Sequence, residues 1–156
     1  MAGKIEARLS ELGIELPEAP APAANYVPYV VVGDMVYVSG QISKDAGGLI
    51  CGKLGDTTSV EEGAAAARVC ALNLIAQLRA ACDGNLDRVV KIVKLGGFVN
   101  ATGDFTDHPV VINGASDLMA EVFGDKGAHA RAAVGCVSLP LGVAVEVEGI
   151  FQISAP

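Results

Sequence analysis

Aromatic side chains are scarce: no tryptophan, three tyrosines and four phenylalanines in 156 residues, so any core must be assembled from aliphatic groups. Basic residues are also few, 11 Lys and Arg against 18 Asp and Glu. The net charge of −7 leaves no basic footprint for neutralising phosphates, and electrostatics work against nucleic acid as a partner. The two histidines, His108 and His129, have no acid or cysteine at ligand spacing, so no metal site is expected and each reads as a surface or loop residue. Cys51, Cys70, Cys82 and Cys136 form no CxxC pair and are expected as free thiols. Long apolar runs are missing too. The longest charge-free stretch, Ala19–Gly33, is interrupted by Pro20, Pro22 and Pro28, whereas a membrane span needs about 20 uninterrupted apolar residues. With no basic-then-apolar leader at the start, a cytoplasmic protein without membrane contact is expected.

What the chain has in quantity is small apolar residues. It is 51% hydrophobic and only 19% charged, against a usual value of about 25%. With 19 glycines and a mean hydropathy of +0.45, it is oily but made of small pieces. A chain of this length coats itself poorly with so few charges, so part of its surface is expected to be covered in a homo-oligomer.

The pattern along the chain divides into residues 1–24, an N-terminal helix and Pro-rich extension, and residues 25–156, the main domain. Ile5, Leu9 and Leu12 fall at helical spacing within Gly3–Leu12, and Leu16–Ala24 reads as a stiff extended connector. Val27–Val32 and Met35–Gln41 are β-branched runs around Gly33-Asp34, a two-residue hairpin signal, with a further short extended piece near Leu49–Ile50. Ser59 and Glu62 form a capping box before an alanine-rich helix, with Gly84 as a left-handed stop. Arg88–Val99 reads as a strand and Asn100–Pro109 as irregular, and Asn113 as the N-cap of a second helix ending near Gly124. Two last strands, Arg131–Val137 and Val143–Ile153, are expected to pair as a hairpin through Ser138–Gly142. The order ββ(β)αβαββ, without βαβ alternation, predicts an α+β layer, a mixed sheet with two helices packed on one face.

Gly47-x4-Gly52-Lys53 approaches a phosphate-binding loop, but Leu54 stands where the metal-binding hydroxyl belongs and no helix begins there, so it reads as a glycine-rich hairpin loop. The last strand carries more. Val145, Val147, Phe151 and Ile153 alternate with Glu146 and Glu148, which must face away from the helices. Arg131, followed by Ala-Ala-Val-Gly, opens the strand expected beside it. One guanidinium and two carboxylates among Ala, Val and Gly are either an ion pair or solvated strand positions, or a site in which Arg131 grips a carboxylate while a glutamate orients water or moves a proton.

Gly33-Asp-Met-Val-Tyr-Val-Ser39-Gly40-Gln41, then Arg131-x-x-Val134, Leu139-Pro140 and Val145-Glu146-Val147-Glu148, resemble the Rid family of reactive intermediate deaminases, also called YjgF-like proteins. The resemblance runs from about Asn25 to Ile153 and implies a chorismate-mutase-like α+β fold assembled as a homotrimer with clefts between subunits. It implies hydrolysis of 2-imino and enamine acids to 2-keto acids and ammonia, with no cofactor. It also implies site roles: Arg131 for the substrate carboxylate, Glu146 for the water, and Tyr26, Ser39, Asn113 and Ala133 as cleft residues. Packing for Tyr26 and helix capping for Asn113 are the plainer readings. Ala133 stands where many members carry cysteine, so only its main-chain groups can replace that residue. The Gly103–Val111 connection looks longer than the family's and, like the N-terminal extension, is expected to reshape the cleft entrance. A non-catalytic module binding a small carboxylate and an endoribonuclease are the alternatives; the negative charge and the lack of a histidine acid/base pair oppose the latter.

Overall fold

In the computed structural model, residues 3–21 and 25–156 are described; the expected boundary after residue 24 and the end of the Pro-rich connector lie outside them. A short helix, α1 (Lys4–Glu11), is followed by the hairpin β1 (Tyr29–Val32) and β2 (Met35–Ile42), turning at Gly33-Asp34 as the sequence predicts. A small ribbon, β3 (Lys44–Asp45) with β4 (Gly48–Leu49), accounts for the glycine-rich stretch. The long helix α2 (Val60–Ala81), β5 (Val89–Asn100), α3 (His108–Phe123), β6 (Ala130–Cys136) and β7 (Val145–Ile153) complete the chain.

The main sheet has the order β1-β2-β7-β5-β6, with β6 parallel to β5 and every other pair antiparallel. This is the mixed sheet expected, but β6 and β7 are not a hairpin: β5 lies between them. Arg131 therefore pairs with Leu95 of β5, and Glu146 is opposite Phe98. Eight residues separate β6 from β7, enough chain to step over one strand, and their sequence carries no record of that crossing.

Helices α2 and α3 cover one face. The Ser59–Glu62 capping box is formed in both directions, satisfying two N–H groups that a helix start otherwise leaves unpaired. Leu74, Ile75 and Leu78 of α2 are fully buried against Val145, Val147 and Phe151 of β7, Leu95 of β5 and Leu118 of α3 in one core. Burying each such side chain stabilises by about 1.5–3 kcal/mol. The two helices approach so closely that a Cβ on Gly114 of α3 would run into the carbonyl oxygen of Ala64. The four cysteines are free thiols, Cys70 and Cys82 buried.

The sequence misplaces the start of α3. The helix begins at His108, with Pro109 in its first turn, and Asn113 stands inside it rather than at its cap. Proline suits the first turn because the N–H it lacks would be unpaired there anyway. The irregular stretch is correspondingly shorter than expected.

The first helix is docked by a long-range cap. Gly3 offers no side chain at its N-terminus, and the Asp87 carboxylate instead accepts from Lys4 N–H and Ile5 N–H, both at 2.9 Å. Leu9 is buried in the core, Arg8 donates to the Glu121 carbonyl of α3, and Gln77 donates to the Pro20 carbonyl. Among the described residues no helix is long and apolar enough to cross a membrane.

Candidate functional site

Side chains on β6 alternate across the sheet, and Arg131, Ala133 and Gly135 fall on the helix side. There the Arg131 guanidinium meets α3: Nη1 donates to Asn113 Oδ1 at 2.8 Å and to Ser116 Oγ at 3.2 Å. Both protons of Nη1 are thus engaged by neutral acceptors. Nε and Nη2, the other edge of the planar group, keep three donors in the geometry that matches a carboxylate. Among the described residues no carboxylate lies within ion-pair distance of Arg131, while Arg8, Arg68, Arg79 and Arg88 each have one. Asn113 presents its oxygen to Arg131 because a guanidinium has no acceptor; the residue is a guanidinium anchor rather than a helix cap. Farther along, the His108 imidazole occupies the space a Cβ on Gly135 would need, with the Phe105 ring edge-on to it at 5.3 Å.

Ser39 and Glu146 lie on the opposite face. Between Val38 and Gln41 the pairing of β2 with β7 shifts register, so Ser39 and Gly40 form an irregularity that re-aims the strand. Ser39 Oγ donates to the Val27 carbonyl at 2.7 Å, and Ser39 N–H donates to the Pro28 carbonyl. Tyr26, exposed and adjacent to Val27, is held to the strand end by this clasp. A Cβ on Gly40 would lie 2.9 Å from the Glu146 carboxyl carbon, so only glycine lets that carboxylate lie over the backbone. Glu146 is half-buried and Glu148 exposed on the same face. Burial, and next the negative charge of Glu148, hold the Glu146 carboxyl above its ordinary range.

The structure therefore groups the sequence candidates in two: Arg131, Asn113 and Ala133 on the helix side at the β6 edge, and Ser39 and Glu146 on the uncovered face around β2 and β7, with the exposed Tyr26 next in sequence to the Val27 carbonyl that Ser39 binds. Within one chain these groups do not meet. Two residues that the sequence reading did not place in the site join the first group. Ser116 touches Arg131, and its hydroxyl is 2.9 Å from Nε2 of His129, whose Nδ1 is 2.6 Å from the Gly127 carbonyl. His129 thus lies in the loop before β6, as one of the two expected readings has it, but it is half-buried with both ring nitrogens engaged. Two signals were available: Ser116 follows Asn113 by one helical step, and His129 precedes Arg131 by the two residues that share a strand face.

Other features are structural. The Lys53 ammonium is consumed by Asn100 Oδ1 at 2.7 Å and by the Val137 carbonyl, tying its own loop to the end of β5 and to the residue after β6 rather than holding a phosphate. Burial pushes the Cys70 thiol far up, with Glu146 adding to the effect, which leaves it inert. Among the described residues no three His, Cys, Asp or Glu side chains stand close enough together to hold a metal ion.

Comparison with known proteins matches residues 6–150 to the family described as "YjgF/chorismate mutase-like, putative endoribonuclease". The chain is 51% identical over 155 residues to Protein TCP17 of Trypanosoma cruzi, covering 98% of this chain and 96% of that one. It is 28% identical over 142 residues to a 2-iminobutanoate/2-iminopropanoate deaminase of Dermatophagoides farinae, covering 90% of this chain and 94% of that one. The crystal structure of Atu1372 from Agrobacterium tumefaciens superposes with a TM-score of 0.88 at 44% identity, over 96% of this chain and 94% of that one.

Proposed function

The chain belongs to the YjgF/chorismate-mutase-like, or Rid-like, family, and on that premise we propose that it hydrolyses 2-imino and enamine acids to 2-keto acids and ammonia in clefts between the subunits of a homotrimer. The observation that carries this reading is the Arg131 guanidinium: half-buried, fixed through Nη1 by neutral partners, and with its Nε–Nη2 edge left for an anion. A deaminase acting on small imino acids is among its relatives.

In this reading the substrate carboxylate pairs with Nε and Nη2 of Arg131, and Asn113 keeps the guanidinium from turning. Glu146, its carboxyl held above the usual range by burial and by Glu148, is better suited than an ordinary carboxylate to carry a proton in both directions. It accepts a proton as water adds to C2 of the iminium, giving a tetrahedral carbinolamine. It returns the proton to nitrogen, the C–N bond breaks with loss of ammonia, and the carbinol hydroxyl gives its proton to the Glu146 carboxylate as the C2 carbonyl forms; ammonia then carries that proton away as ammonium. Imines hydrolyse readily in water, so positioning the acid, the water and the carboxylate supplies the needed acceleration without a covalent step. Tyr26 and Ser39 wall the cleft, and Ala133 takes part through its main chain.

Arg131 and Glu146 project from opposite faces of the sheet and from strands separated by β5, so the reaction needs Arg131 from one protomer and Glu146 from its neighbour. The uncovered face supports such assembly, since it carries Val30, Tyr37, Phe98, Val134 and Ile150 with no helix of the described residues over them. The alanine at position 133 favours a second reading, a module that binds keto acids without turnover. Release of ammonia and keto acid from an imine generated in situ separates the two. Arg131→Ala is expected to lower turnover about a hundredfold or more while leaving the circular dichroism unchanged; unchanged turnover removes the site assignment.

A further inference from the structure

Three hydrogen bonds on the helix side of β6 share a single direction. Arg131 can only donate, and the Gly127 carbonyl can only accept. Between them, Arg131 Nη1 donates to Ser116 Oγ, Ser116 is 2.9 Å from His129 Nε2, and His129 Nδ1 is 2.6 Å from the Gly127 oxygen. Every bond is satisfied when the imidazole proton sits on Nδ1 and the serine hydroxyl donates to Nε2. With both ring nitrogens protonated, two cationic donors would converge on one hydroxyl oxygen and its own proton would need another acceptor. The far end of this chain is fixed: a Cβ on Gly127 would run into the Met119 carbonyl, so the residue is seated against α3 as only glycine can be. The Asn113 contact takes the other proton of Nη1.

We propose that Ser116 and His129 are positioning residues for Arg131, transmitting the fixed Gly127 carbonyl through a one-way hydrogen-bond chain that sets the rotation of the guanidinium and so the aim of its Nε–Nη2 edge. This rests on the reading in which Arg131 holds the substrate carboxylate. Two anchors on one nitrogen, from different turns of α3, leave the planar group no free rotation about its last torsion. Removing the Ser116 anchor frees that rotation, and the cost is felt in affinity for the anion.

Two measurements test it. Nitrogen NMR of the imidazoles, with His129→Gln separating the two histidines, is expected to show His129 as the Nδ1–H tautomer, the form a free neutral imidazole disfavours. An Nε2–H tautomer overturns the chain. Calorimetric binding of 2-oxobutanoate is expected to weaken about three- to tenfold in Ser116→Ala and in His129→Phe, one hydrogen bond each. The double variant is expected to bind no more weakly than the poorer single one, because both break the same chain. Ser116→Thr, which keeps the hydroxyl, restores wild-type affinity. With imine substrate, KM rises by the same factor while kcat stays within about twofold. Losses that add in the double variant overturn the proposal. If Arg131→Ala loses binding while Ser116→Ala and His129→Phe keep it, the positioning role falls and the carboxylate reading stands. If Arg131→Ala binds as tightly as the wild type, the carboxylate reading falls and the positioning role falls with it.

Discussion

Glu146 is a carboxylate set over the backbone of Gly40, half-buried, with Glu148 two residues along the same strand face. Burial and then the neighbouring charge hold its carboxyl above the ordinary range, so the folded protein binds this proton more tightly than the unfolded chain does. The stability gained from that proton is complete below the unfolded carboxylate value of about 4.3 and is lost as the pH rises through the higher folded value. Glu146→Gln is therefore expected to raise the melting temperature at neutral pH, with the gain vanishing below about pH 4, even as turnover is lost. Melts followed by circular dichroism across this range check it, and a difference independent of pH contradicts it. Arg131 and Glu146 stand out in the sequence because charges among Ala, Val and Gly are expensive unless used. Ser116 and His129 do not, because each is an ordinary polar residue until the phase of α3 and the β5–β6 pairing bring them to the guanidinium.

Elements whose causes are local read directly from the chain: the Gly33-Asp34 hairpin, the Ser59–Glu62 capping box, the alternation in β7. Those set by distant contacts do not. The insertion of β5 between β6 and β7 depends on pairing across the sheet, and the early start of α3 on Pro109, which reads equally well as the end of a loop. The first helix belongs to the same class, since its cap is supplied by Asp87, more than eighty residues away in sequence. Asp87→Ala is expected to cost about 1 kcal/mol, as removal of a capping carboxylate usually does, and to lower amide exchange protection in α1 before that of the sheet. Uniform loss of protection throughout the molecule would show instead that α1 does not open on its own. Where α2 crosses α3, Gly114→Ala puts a methyl group into the Ala64 carbonyl and is expected to destabilise by about 1–3 kcal/mol in urea, with little change in the slope of the transition.

At the scale of the whole molecule the sheet has one face covered by helices and one that carries Tyr37, Ile150, Phe98 and Val134 uncovered. The same face holds Glu146, while Arg131 lies across the sheet, so covering this face and completing the proposed cleft are the same event. Sedimentation is expected to give about three times the 15.8 kDa of one chain. Ile150 sits between Tyr37 and Lys94 in the middle of the face and is only half-buried in a single chain, so Ile150→Asp leaves that chain folded. Inside an assembly the same change buries an unpaired charge, at a cost of several kcal/mol. The variant is expected to sediment as one chain, keep its circular dichroism, and lose imine hydrolysis with Arg131 and Glu146 both intact. A monomeric Ile150→Asp that still turns over imine would mean that one chain holds the whole site, which is incompatible with Arg131 and Glu146 lying on opposite faces of its sheet.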